Sequence, residues 1–153
     1  MKIITILLFI SNLLCIEILS YTAQFKNIGA GSAILKTTTY NDSQEKEIHF
    51  SFKTKNFVDI FYKIRENIVM RVDAANSFIK YIKTDSQSGK RFKNHEAKFN
   101  YLNNKVYFNN DSLLINKTVY NPISIIVFLR DQNLSLGNKY IFDTYNSGKI
   151  QPI

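Results

Sequence analysis

Beyond residue 20 the hydrophobic and polar positions of this chain alternate with a period of two. Ile48, Phe50 and Phe52 alternate with His49, Ser51 and Lys53. Along 62–72 the even positions carry Tyr62, Ile64, Glu66, Ile68, Met70 and Val72, and the odd side carries Lys63, Arg65, Asn67, Val69 and Arg71. Ile79 and Tyr81 oppose Lys80, with Ile82 breaking the pattern; Ala97, Phe99 and Tyr101 oppose Glu96, Lys98 and Asn100. Half-buried antiparallel strands require such alternation. Between the runs lie Asn41-Asp42-Ser43, Asp73-Ala74-Ala75-Asn76, Ser86-Gln87-Ser88-Gly89, Asn103-Asn104 and Asn109-Asn110-Asp111. Asx and Gly residues tolerate the left-handed conformations of tight turns, so these clusters predict a meander of hairpins and not βαβ units. Residues 56–60 read as a short irregular or single-turn step.

One segment departs from the alternation. Residues 121–137 read NPISIIVFLRDQNLSLG. Asn121 suits an N-cap, and Pro122 suits the first helical position, where its missing N–H costs nothing. The run 123–129 is apolar on nearly every side, so protein is expected to cover it. By propensity alone the same β-branched run could be a buried strand.

The first 20 residues read as a secretory signal peptide. Lys2 gives a positive start, residues 3–14 are apolar apart from Thr5, Ser11 and Asn12, and Ser20 offers a small residue for cleavage. The run falls short of the ~20 apolar residues of a membrane-spanning helix. Lipoprotein attachment through Cys15 is disfavoured, because Asn12-Leu13-Leu14 lacks the small residue expected just before the cysteine. The expected location is therefore the periplasm or another exported compartment, with no transmembrane span left after cleavage. Cleavage removes one cation and one anion, Lys2 and Glu17, so the net charge stays at +8. It also removes Cys15, the only cysteine, which excludes thiol chemistry and disulfides from residues 21–153. Those residues suit one domain.

The sharpest candidate for a site is Glu66, a carboxylate on the otherwise apolar side of its strand. Buried there, it would need a partner. Arg130, ending the apolar segment, is the expected one, and the pair would be either a structural pin or a polar anchor for a ligand; the alternative is that Glu66 occupies an edge position open to water. Tyr62, Met70 and Phe128 complete the candidate ligand-binding set. His49 and His95 stand without a carboxylate at helical or hairpin spacing, so neither a metal nor a general-base role is expected of them. No nucleophile elbow, zincin helix, phosphate loop or dinucleotide fingerprint is present. No cofactor or metal is expected, and the protein is read as not an enzyme. Lys53, Lys55, Lys63, Arg65, Arg71, Lys80, Lys83, Arg91 and Lys93 lie on basic strand faces among Phe and Tyr. For an exported protein, an anionic envelope surface is a better partner for them than nucleic acid, and the plainest reading is that they are ordinary solvated faces.

Several ordered segments resemble the bacterial exported family called domain of unknown function 3108. They are Asn27-Ile28-Gly29-Ala30-Gly31, Phe57-Val58-Asp59-Ile60-Phe61-Tyr62-Lys63-Ile64-Arg65, Val72-Asp73, Arg91-Phe92-Lys93, Ala97-Lys98-Phe99-Asn100, Asn121-Pro122-Ile123-Ser124, Phe128-Leu129-Arg130 and Leu134-Ser135-Leu136-Gly137. The resemblance favours a helix over 122–130. Asn121 stands where that family often has Asp, and Val127-Phe128 where it often has paired tyrosines. Family members continue for several strands past Gly148-Lys149-Ile150, so the resemblance implies that the C-terminal strands are missing here.

The expected architecture is all-β: an antiparallel meander forming a curved sheet, half-barrel or sandwich, with one short helix packed on it. The expected function is a non-enzymatic periplasmic role, holding a lipid or other hydrophobic or amphiphilic envelope ligand, or supporting envelope assembly. The alternative is a structural or interaction module with a solid core and no ligand.

Overall fold

The alternating segments become strands that pair in chain order. The computed structural model describes residues 14–25, 27–40 and 43–153. Strands β1 (Leu14–Phe25), β2 (Ile28–Tyr40), β3 (Glu45–Thr54), β4 (Ile64–Asp73), β5 (Ile79–Ser88), β6 (Arg91–Asn100), β7 (Lys105–Phe108) and β8 (Asp111–Leu114) form one antiparallel sheet, each beside its sequence neighbour. The sheet does not close. On β4 the even side is the inner one as predicted: Ile68, Met70 and Val72 are buried, while Asn67 and Arg71 face solvent. β5 departs from the reading. A bulge between Arg71 and Val72 shifts the register, so that Ile79 opposite Val72 and Ile82 opposite Met70 both point inward. Tyr81 therefore lies on the outer face, with the Arg71 guanidinium over its ring at 5.1 Å. One extra residue reverses side-chain parity, which a strict period of two cannot anticipate.

A second layer covers the inner face. It comprises β9 (Val119–Tyr120), helix α2 (Pro122–Arg130), β10 (Asp143–Asn146) and β11 (Lys149–Pro152). α2 has the predicted boundaries. The Ile123 N–H donates to Asn121 Oδ1 at 2.9 Å and the Asn121 N–H to Ser124 Oγ at 3.0 Å, so side chains satisfy donors the helix start would otherwise orphan. The expectation of cover all round is too strong, since Ile126 is 46% exposed. β10 pairs antiparallel with β11 and parallel with β9, making β9–α2–β10 a crossover unit. That corrects the reading of hairpins alone; β9 has two residues, too few to show any period. The core lies between the layers, where Ile48, Met70, Val72 and Val106 of the sheet meet Val119, Val127 and Tyr145.

Two ion pairs link α2 to the sheet, and neither is the expected one. Arg130 grips Glu17 of β1 through two hydrogen bonds of 2.6 and 3.1 Å, both groups largely in solvent. Hydrogen bonding to Arg130 holds the Glu17 carboxyl below its usual range. Glu66 is not the partner of Arg130. It lies beyond Ile68 on the inner side of β4, only half-buried, and so has access to water without a counter-charge. The buried charge on the inner face is instead Lys46 of β3, whose side chain is 6% exposed and whose Nζ donates to Asp131 Oδ2 at 3.0 Å. Asp131 is the C-cap of α2, and an ammonium is favoured at that end of a helix. Arg130→Ala is accordingly expected to lower stability by less than about 1 kcal/mol, as for a solvent-exposed pair. A urea midpoint measurement checks this.

A second, shorter helix, α1 (Asn56–Phe61), fills the predicted step between β3 and β4. The Lys55 N–H donates to the Ala30 carbonyl at 2.9 Å and Asn56 Nδ2 to the Gly29 carbonyl at 2.7 Å. Asp59 accepts two hydrogen bonds from Arg65 and one from Thr54, which holds its carboxyl well below the usual range. α1 is thereby fixed to the ends of β2, β3 and β4.

Candidate functional site: a concavity at the α1 end of the sheet

Strand register assembles a polar surface that is dispersed in the sequence. Ile34, Ser51, Asn67, Asp85 and Asn94 lie side by side across β2–β6, and Ser32, Lys53, Arg65, Gln87 and Phe92 form the adjacent row on the same face. Both rows alternate with the inward row Ala33, Phe52, Glu66, Ser86 and Lys93, so they belong to the outer face. Twist of the sheet leaves there a concavity of about 740 Å³, lined by both rows and reached by Phe52, Glu66, Ser86 and Lys93. Ile34 is 47% exposed and Phe92 78% exposed. The side chains of Ser51, Asn67, Asp85 and Asn94 make no hydrogen bond to the described residues, so their polar atoms are free to meet a solute.

The five expected ligand-binding residues are not brought together. Glu66 alone borders this concavity. Met70 is fully buried in the core. Phe128 packs with Tyr120 and Phe142, at centroid distances of 6.0 and 5.7 Å. Tyr62 caps the end of α1 and shares a hydrogen bond with Ser88, while Arg130 is held by Glu17. The concavity thus lies on the outer face, and the inner face under α2, where a ligand space was expected, is filled by side chains. The polar row was legible only as solvent-facing positions; seeing it as one surface needs the register across four turns.

Two histidines also differ from the reading. His49 does have a carboxylate, Glu47, two residues away on the same strand face. His95, 6% exposed, meets the buried Tyr145 hydroxyl at 2.8 Å and joins the two layers. Burial raises the Tyr145 hydroxyl to about 12, and burial followed by the nearby Lys93 charge lowers His95. The folded chain resists protonating His95 whereas the unfolded chain does not. Stability is therefore expected to fall as pH drops below about 6.5, the unfolded-state value, and to recover as pH rises. The slope of the urea midpoint against pH over that range should flatten in His95→Phe.

Among the described residues no three ligating side chains cluster as a metal site would require, and no helix is long and apolar enough to cross a membrane. No match is found among the curated proteins or among the solved structures. A family model does match, over residues 20–153. By that match the chain belongs to the protein family of unknown function DUF3108.

Proposed function

We propose that this protein is exported and non-enzymatic, and that it holds a hydrophobic or amphiphilic envelope molecule in the outer concavity. The supporting observation is the composition of that surface. Ile34 and Phe92 offer apolar contact beside Lys53 and the unbonded row Ser51, Asn67, Asp85 and Asn94. Its volume of about 740 Å³ matches that of small-molecule sites. The shifted groups serve structure: Asp59 anchors α1, and His95 and Tyr145 join the layers. Native mass spectrometry of the protein purified from its own envelope is expected to show a bound amphiphile that Ile34→Asp with Phe92→Asp removes. A bare protein mass would sink the proposal.

Export carries a structural consequence. Cleavage after Ser20 would take the first seven residues of β1, Glu17 among them, leaving Arg130 without that partner. N-terminal sequencing of the secreted protein is expected to begin at Tyr21; intact Met1 in a soluble cytoplasmic pool would count against export.

The packed inner face favours a second reading, a structural module without ligand that supports envelope assembly. Met70, Ile48, Val72, Val127 and Tyr145 fill the space that a ligand would need beneath α2.

A further inference from the structure

Three segments converge at one end of the sheet: the start of β2, α1 with its exit, and the β5–β6 hairpin. The Gly89 N–H donates to the Lys63 carbonyl at 2.8 Å, and the Tyr62 hydroxyl is bonded to Ser88. Asn56 ties α1 to Gly29. This end is therefore one rigid platform. From it project Ile60 and Phe61, each 82% exposed, with Phe92 78%, Tyr62 52% and Ile28 50% exposed. Large apolar side chains so exposed, and gathered at one end, mark an interaction site. Lys55, Lys63, Lys90 and Arg91, all exposed, surround them. Asp59, the carboxylate of α1, is bound by Arg65 and offers no free repulsion to an anion.

We infer that this end is a docking surface for an anionic lipid bilayer, with Ile60 and Phe61 entering the interface and the four cations resting on the headgroups. Charge complementarity commits the partner. Aliphatic and aromatic tips that project from a platform are suited to a fluid apolar layer, and basic side chains beside them favour an anionic leaflet. The inference goes beyond the ligand proposal and holds whether or not the concavity is occupied.

The chain contains no tryptophan, so Phe61→Trp places a single fluorescent reporter at the tip of the full chain. Leu114→Trp, on the exposed edge strand β8, is the control. Vesicles of phosphatidylglycerol and phosphatidylcholine are expected to shift the emission of the Phe61→Trp protein to shorter wavelength, reversibly with salt, and to leave that of the control unchanged. Vesicles of phosphatidylcholine alone should have little effect. Adding Lys90→Gln and Arg91→Gln should weaken partitioning roughly 30-fold, at about 1 kcal/mol for each basic group near the surface. Three results would each overturn the inference: an unshifted tip reporter, an equal shift of the control, or the same shift of the tip reporter with heparin, a soluble polyanion.

Discussion

Asp131→Ala is expected to lower stability by about 2–4 kcal/mol, although the residue it removes is mostly in solvent. The effect resides in its partner. Lys46 points to the inner face of β3 with its side chain 6% exposed, and Asp131 is the only carboxylate bonded to its ammonium among the described residues. Losing that carboxylate leaves a charge in a poorly hydrated position. Access to water from the Asp131 side, itself 57% exposed, keeps the loss below that of a fully enclosed pair. Lys46→Met should be neutral or stabilising alone, and should rescue Asp131→Ala, because it removes the charge and retains the packing stem. Urea midpoints of the four proteins form the test, and an additive result would show that Lys46 does not depend on Asp131.

Gly148→Ala should be of similar size for a different reason. Ser147 and Gly148 make the β10–β11 turn with φ of 48° and 87°, and a Cβ on Gly148 would stand 2.8 Å from the Phe108 ring. Left-handed strain contributes about 1 kcal/mol and overpacking about 1–3 kcal/mol. The ring has little freedom to retreat, since Phe108 lies 6.2 Å from Tyr145 and 6.0 Å from His95 between centroids. Gly137→Ala separates the two contributions: φ there is also 87°, but nothing lies within 4 Å of the added methyl. It should show the strain alone. Equal losses at the two glycines would mean that Phe108 moves aside freely.

Much of this fold could be read from local pattern. Alternation placed the inner faces of β3, β4 and β6, and Asn121 with Pro122 fixed the start of α2, because capping chemistry is local. The bulge at Arg71 and Val72 could not be read, nor the parallel contact of β9 with β10, since neither leaves a periodic trace in a few residues. Glu66 shows the limit most plainly. Parity put it on the inner side correctly, but parity does not say how far along a strand the buried region extends. At its half-open position it has no need of Arg130. Lys46 shared the parity of Ile48 and Phe50, yet its burial depends on α2 arriving above it. The outer rows of the concavity were visible only as polar positions, because assembling them requires every intervening turn length to be right.

The meander has a kinetic consequence. Each of the first eight strands pairs with its sequence neighbour, so the sheet forms through short loop closures. The contacts that attach the second layer span far more chain: 50 residues for His95 with Tyr145 and 85 for Lys46 with Asp131. Hairpin zipping should therefore precede docking of the layer. Substitutions at Lys46, Asp131 or Tyr145 should then speed unfolding and leave the folding rate almost unchanged. In a chain that emerges N-terminus first, the eight-stranded sheet would begin to assemble while the segment that covers its apolar face is still to follow. The chain would carry that bare face until the segment from Val119 onward has followed.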